Sequence, residues 1–228
     1  DSCARDPEKS RRLNVDSTIR VIDRLVEWKT PFTFTSSESV FNGLEGNYRE
    51  DDPAHPILLY GAQKLEIETY LRDLECDCAV LRLGKVFGLS PTDEKLFGGW
   101  LKDIKAAKPI RCAEDQVFSP IHISDVIEGL RSSARKKLRG LYHLCGPKAY
   151  SRLELLNMFL DDVRRFRPVE LEVQPCSIDD FPLLEKRPKD VSMCPDKFVR
   201  DTGIELQAPE AVSRAFAEAH FGTSDGNT

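Results

Sequence analysis

The sequence predicts an α/β protein in which a parallel sheet is covered by helices. Strand-like and helix-like segments alternate along the chain, which is the signature of βαβ units. A Tyr60-Gly61-Ala62-Gln63-Lys64 motif stands on a helix that follows a short apolar run ending just before Ser36 and Ser37. Hydrophobic residues make up 40% of the 228 positions, enough for one substantial core or one domain with an appended lobe.

The elements follow in order. Asp6 caps the first helix and Pro7 takes its first position, where a missing N–H costs nothing; Val15, Ile19, Ile22 and Val26 share its inner face. Residues 32–35 read as a short buried strand. Pro56 opens a helix over 56–74, residues 79–83 form the next strand, and a helix around 94–105 starting at Glu94 completes a βαβα run with right-handed crossovers. Then come a strand over 109–112, a helix over 124–134 begun by Ser124 and Asp125, and a strand over 141–145. Ser151-x-x-Glu154 is a capping box, and its helix buries Leu153, Leu156, Phe159 and Leu160. A strand over 169–173 and a helix from Pro209, with Val212, Ala215, Phe216 and Ala219 inward, complete the ordered chain. The polar residues after Gly222 read as a frayed tail.

Charge and cysteine usage narrow the function. With 33 basic and 38 acidic residues the net charge is −5, which argues against a nucleic-acid surface or a polybasic membrane surface. Seven scattered cysteines are a reduced, cytoplasmic pattern. Cys76-Asp77-Cys78 lacks the two-residue gap of a zinc knuckle and has no histidine beside it, so it reads as structural thiols at a strand entrance, and no metal site is predicted. His122 and His143, in strand-like apolar settings, read as hydrogen-bonded structural residues. No signal peptide, no run of 18 apolar residues and no Asn-x-Ser/Thr sequon is found. The chain starts at Asp1 without a methionine, as a processed or truncated start would.

The Tyr60/Lys64 spacing carries chemistry. Residues four apart share a helix face, so the ammonium stacks one turn from the phenol. An unperturbed phenol titrates near ~10, and a neighbouring cation is expected to lower that value toward a working acid or base. Ser37, at the end of the preceding strand, would offer a hydroxyl to the same reacting oxygen. Tyr-x-x-x-Lys alone is a common pair; the strand and serines before it give it weight.

Other motifs are missing or misplaced. A dinucleotide site normally carries a glycine-rich loop between a first strand and a helix. Gly43 with Gly46, Gly84 with Gly88, and Gly98-Gly99 have the wrong spacing or place and read as turns. Gly222-Thr223-Ser224-Asp225-Gly226 matches a nucleophile elbow by letter only, since no strand precedes it and no helix follows.

The stretch Ser36-Ser37-Glu38-Ser39-Val40-Phe41-Asn42-Gly43, with Tyr48-Arg49-Glu50-Asp51-Asp52, Pro56 and Tyr60-Gly61-x-x-Lys64-Leu65-x-x-Glu68, resembles the extended short-chain dehydrogenase/reductases. Within them it is similar to the dTDP-4-dehydrorhamnose reductases and to the regulatory beta subunit of methionine adenosyltransferase. Leu81-Arg82-x-x-x-Val86-Phe87-Gly88, Ser119-Pro120-x-x-x-Ser124-Asp125-Val126, Gly140-Leu141-Tyr142-His143-Leu144 and Arg187-Pro188-Lys189-Asp190-Val191 agree in order. The resemblance implies a Rossmann-like parallel sheet with helices on both faces and a small C-terminal substrate-binding lobe. It also implies that the glycine-loop half lies upstream of Asp1. Residues 1–88 would be the rest of the dinucleotide-binding domain with the catalytic helix, 89–222 the lobe interleaved with returning sheet elements, and 223–228 a disordered tail.

By the same resemblance, Tyr60 is the general acid or base, Lys64 binds the nicotinamide ribose and lowers the tyrosine's pKa, and Ser37 orients the reacting oxygen. Tyr60, Lys64, Leu83 and Val86 would meet an NADP or NAD cofactor, and Glu38, Ser39 and Lys85 the substrate. The rhamnose-pathway pattern has an aspartate and a tyrosine where this chain has Glu38 and Ser39, and a tryptophan where it has Lys85, so two aromatic walls are replaced. The implied activity is NAD(P)-dependent reduction of a keto group on a nucleotide-sugar or similar polar metabolite. The alternative is a non-catalytic regulatory subunit that binds a partner enzyme or forms a homodimer. A third, epimerase or dehydratase chemistry, needs acid and base groups that the sequence does not place.

Overall fold

A computed structural model describes residues 2–74, 76–88 and 96–222. The chain enters through helices α1 (Ser2–Arg5) and α2 (Pro7–Arg11), a π-helical turn (Arg12–Asp16) and α3 (Ser17–Glu27). Asp6 caps α2 as expected, accepting from the Lys9 N–H at 3.0 Å. Val15 and Ile22 are buried, while Val26 is exposed.

The central sheet is parallel: β1 (Phe32–Ser37) and β2 (Cys78–Leu83) pair in register Phe34↔Val80, and β2 pairs with β7 (Gly140–Leu144) in register Leu81↔Tyr142. Alternation along β2 places helices on both faces. Cys78 and Val80 pack with Ile67 and Leu71 of α4 (Leu59–Asp73) and with Val15 and Ile22. Leu81 points the other way, toward Val126 of α6 (Ile123–Lys136), Tyr142, and Phe198 of α8 (Asp196–Thr202).

A second, larger core holds the lobe. It joins α5 (Phe97–Lys105), α7 (Arg152–Arg164) and α9 (Pro209–Phe221) through Phe97, Trp100, Phe159 and Phe216, and it runs on to Val40 and Phe41 just after β1. Short pairs complete it: β3 (Val86–Phe87) with β6 (Ile121–His122), β4 (Ile110–Ala113) with β9 (Val173–Cys176), and β5 (Val117–Phe118) with β8 (Tyr150–Ser151). The Ser151/Glu154 capping box forms with both of its hydrogen bonds. Among the described residues no helix is long and apolar enough to cross a membrane.

Several expectations are corrected. The helix predicted from Pro56 begins three residues later, at Leu59, with Leu58 in extended backbone and the Leu59 N–H donating to Glu185 Oε1. The strand predicted over 169–173 is Val173–Cys176, a segment disfavoured locally by Pro175. Pairing with Ile110–Ala113 overrides that preference in a two-stranded ribbon, where a missing N–H is tolerated at the open side. In α9, Ala215 and Ala219 face outward. Ser213 and Ala217 face inward instead, with Ser213 Oγ donating to the buried Asp162 carboxylate at 2.8 Å. Leu153 is only partly buried. The predicted helix start at Glu94 and the tail after Gly222 lie outside the described residues, apart from Gly222 itself.

Candidate active site

The carboxyl ends of β1, β2 and β7 bring Ser37, Glu38 and Ser39 together with Lys85 and Cys145, the edge at which parallel sheets receive ligands. Helix α4 lies against this edge with Tyr60 in its first turn. The close approach requires a glycine: a Cβ on Gly61 would stand 1.9 Å from the Ser39 carbonyl oxygen. Gly84 is needed likewise, since a Cβ there would meet the Ser119 carbonyl oxygen at 2.4 Å.

Lys64 reaches back to β1, its Nζ donating to the Thr35 carbonyl at 2.9 Å. The ammonium also lies 4.8 Å from the Phe34 ring centroid and 5.7 Å from that of Tyr60. Burial lowers its pKa, opposed by the charge of Glu68 one turn on. The phenol does not behave as the spacing predicts. Tyr60 is raised above its usual value, first by burial and then by Cys3 and Glu38, while Lys64 is bonded to the Thr35 carbonyl and lies 5.7 Å from the ring centroid. Ser37 is at the end of β1, where its hydroxyl caps the turn Glu38–Val40: it accepts from Ser39 N–H and donates to Ser39 Oγ, both at 3.2 Å.

Glu38 is strongly perturbed at this edge. Burial drives its carboxyl up to about 7, opposed by the Lys85 charge and by a hydrogen bond from the Lys85 backbone N–H. Its Oε2 is buried without a hydrogen-bond partner. Such an orphan calls for an explanation, and a polar ligand group would satisfy it. The Lys85 ammonium lies 6.0 Å from the Phe118 ring centroid. Leu83 and Val86 flank Lys85 on β2 and β3, both partly buried against the α6-side core.

Behind the site lies a buried polar chain that residue spacing did not reveal. Arg82 Nη2 donates to Glu68 Oε2 at 2.7 Å, with both side chains under a tenth exposed. His143 lies 3.5 Å from Arg82 Nη1, its Nδ1 is 3.1 Å from the Tyr48 carbonyl, and its backbone N–H donates to Glu50. The expected structural role of His143 is thereby seen. His122 caps α6, accepting from Ser124 N–H. On the other side of Lys64, Gln63 Oε1 accepts from Ser10 Oγ at 2.7 Å and from Asn14 Nδ2 at 2.8 Å, Asn14 standing in the π-helical turn. No local pattern marks these partners, since they meet across some fifty residues of chain.

One cavity adjoins the buried polar chain and another lies in the lobe. The first, about 620 Å³, opens beside Glu68 and Arg82, and its lining includes neither Tyr60 nor Ser37. The second, about 870 Å³, lies among Arg111, Arg152, Arg187, Lys102, Trp100 and Phe181. There Arg152 faces Trp100 at 5.6 Å and Arg111 faces Phe181 at 5.3 Å.

A parallel sheet with helices on both faces, carrying its polar cluster at the strand carboxyl ends, is a Rossmann-like α/β protein. Residues 1–220 match the model of the RmlD substrate binding domain, and the chain belongs to that family. It is 26% identical over 156 residues to methionine adenosyltransferase 2 subunit beta of Bos taurus, covering 65% of this chain and 47% of that one. It is 24% identical over 202 residues to dTDP-4-dehydrorhamnose reductase of Aggregatibacter actinomycetemcomitans, covering 85% and 68%. The fold superposes with a TM-score of 0.83 on the dTDP-4-dehydrorhamnose reductase of Bacillus anthracis in complex with NADP, at 20% identity, covering 95% of this chain and 75% of that one. The chain therefore spans about half the length of the bovine relative.

Proposed function

We propose that this chain is the catalytic and substrate-binding portion of an NAD(P)-dependent reductase acting on a keto group of a nucleotide-sugar or similar polar metabolite. The observation that carries the reading is the convergence of Tyr60, Lys64, Ser37 and the orphaned Glu38 carboxyl at one end of a parallel sheet. Tyr60 and Lys64, with Leu83 and Val86, would border the nicotinamide, which supplies the hydride when bound. Burial keeps the Tyr60 phenol protonated, the form required to donate a proton to an alkoxide. Lys64, held on Thr35, fixes the helix against β1 and places a positive charge beside the ring. Ser37 orients the reacting oxygen, while Glu38, Ser39 and Lys85 meet the substrate. The cationic, aromatic-walled cavity of the lobe suits the anionic part of a nucleotide-sugar.

In the full-length protein, Tyr60→Phe is expected to reduce NAD(P)H oxidation by roughly 10²–10⁴-fold while leaving cofactor affinity within about twofold. Undiminished turnover sinks the assignment. A second reading, a non-catalytic subunit of a larger enzyme, is favoured by the likeness to a methionine adenosyltransferase beta subunit and by the replaced substrate-side aromatics. It predicts cofactor binding without turnover of any keto-sugar, together with co-purification of a catalytic partner.

A further inference from the structure

The helix turn that carries Tyr60 is held from the far side of the chain. Leu58, at the N-cap of α4, has extended backbone and an aliphatic side chain that can accept nothing from the first turn. The Leu59 N–H donates instead to Glu185 Oε1 at 2.7 Å. A carboxylate at this point also complements the helix dipole.

Glu185 belongs to a segment that touches two other places. On the cavity side, Phe181, Leu183 and Arg187 line the 870 Å³ space, with Phe181 beneath the Arg111 guanidinium. Immediately after it, the chain is clamped onto the turn that follows Glu38–Val40. Asp190 N–H donates to the Gly43 carbonyl at 3.1 Å, and a Cβ on Gly43 would lie 2.6 Å from Pro188 Cβ. One on Gly46 would lie 2.2 Å from the Asp190 carboxylate. The anchored end at 188–190 leaves residues 181–187 as a strap between the cavity wall and the first turn of α4.

We propose that Glu185 is a positioning residue for Tyr60, and that the strap couples the shape of the lobe cavity to the setting of that helix turn. Its kinetic part rests on the reading of Tyr60 as proton donor; its structural part does not. Glu185 acts through the Leu59 N–H, one residue before the phenol. Displacement of Phe181 by a ligand in the cavity would be felt at Glu185 through the short chain between them.

The test is amide hydrogen exchange on this chain, read at residues 59–62. Glu185→Ala is expected to speed exchange there about fivefold, the loss of one cap, with α7 and α9 unchanged. Glu185→Gln, which keeps an oxygen acceptor, should return the rates to within about twofold of wild type. Phe181→Ala, in the cavity wall, should speed the same amides about two- to threefold. Unchanged rates in Glu185→Ala overturn the positioning role, as does failure of Glu185→Gln to restore them. If Glu185→Ala does not fold, Glu185→Asp, whose carboxylate stands one methylene short of the Leu59 N–H, takes its place and should speed the same amides about two- to threefold, unchanged rates overturning the positioning role. A response to Glu185→Ala without one to Phe181→Ala overturns the coupling. In the full-length protein Glu185→Ala should lower kcat about tenfold with KM within about twofold. Full activity of Tyr60→Phe would remove the reductase reading and leave the exchange results to judge the strap alone.

Discussion

Gly61 stands so close to Ser39 that a Cβ would lie 1.9 Å from the Ser39 carbonyl oxygen and 2.7 Å from its carbonyl carbon. The obstacle is backbone, which cannot swing aside as a side-chain tip can. The glycine inside the Tyr60/Lys64 motif is therefore what lets α4 lie against the end of β1.

Gly61→Ala should consequently push α4 off that loop. We expect a stability loss of at least about 1–3 kcal/mol, seen as a lower urea midpoint with unchanged slope. On the proposed reductase reading, turnover in the full-length protein should fall further than stability alone explains, because Tyr60 moves with the helix. A midpoint equal to wild type would show that the loop after β1 can yield.

The Glu68–Arg82 pair is buried, and breaking it leaves one charge without its partner. Glu68→Gln is expected to cost about 3–5 kcal/mol, measured by chemical denaturation. Joint replacement by Glu68→Leu and Arg82→Met should recover most of that loss. Equal destabilisation in the double variant would mean that the pair itself contributes net stability.

His143 gives acid sensitivity. Burial first, then the charge of Arg82, holds it down at about 3 from an ordinary 6.5. Between those values the unfolded chain binds the proton more readily. The stability owed to neutral His143 is complete above pH 6.5 and is lost as pH falls toward 3, at up to about 1.4 kcal/mol per pH unit. His143→Gln should flatten that slope in denaturation curves recorded across this range; a slope identical to wild type would assign acid sensitivity elsewhere.

Glu38 works in the opposite direction. Its carboxyl is raised from 4.5 to about 7, so the folded chain holds the proton more tightly in that interval. The resulting stability is complete below pH 4.5 and disappears as pH rises through 7, again at up to about 1.4 kcal/mol per pH unit. Glu38→Gln should stabilise the protein above pH 7 and leave the His143 slope exposed at lower pH. Loss of stability at pH 8 in this variant would contradict the protonation assigned to Glu38. Groups that bear on this carboxyl are Lys85 after β2, Tyr60 on α4 and Cys145 after β7.

Local sequence made much of the scaffold legible. Ser151 and Glu154 satisfy each other within one turn, Pro209 opens α9, and the apolar runs of β1 and β2 become strands because both faces of the sheet are covered. The Tyr60/Lys64 pair was visible for the same reason, since helical spacing alone sets two side chains one turn apart. The direction of the Tyr60 pKa was not visible: its burial and its approach to Cys3 and Glu38 depend on how α4 meets β1 and the first helices.

By itself, then, the sequence determined the α/β pattern, the caps and the residue types at the ends of the strands. These follow from interactions within a few residues, where spacing fixes geometry. Tertiary structure alone decided that Val173–Cys176 is a strand despite Pro175, that α4 begins at Leu59 under Glu185, and that Glu68, Arg82 and His143 form one buried chain. Each of those depends on partners far apart in the chain, whose pairing becomes favourable only when the packed core removes water and leaves polar groups no other partner.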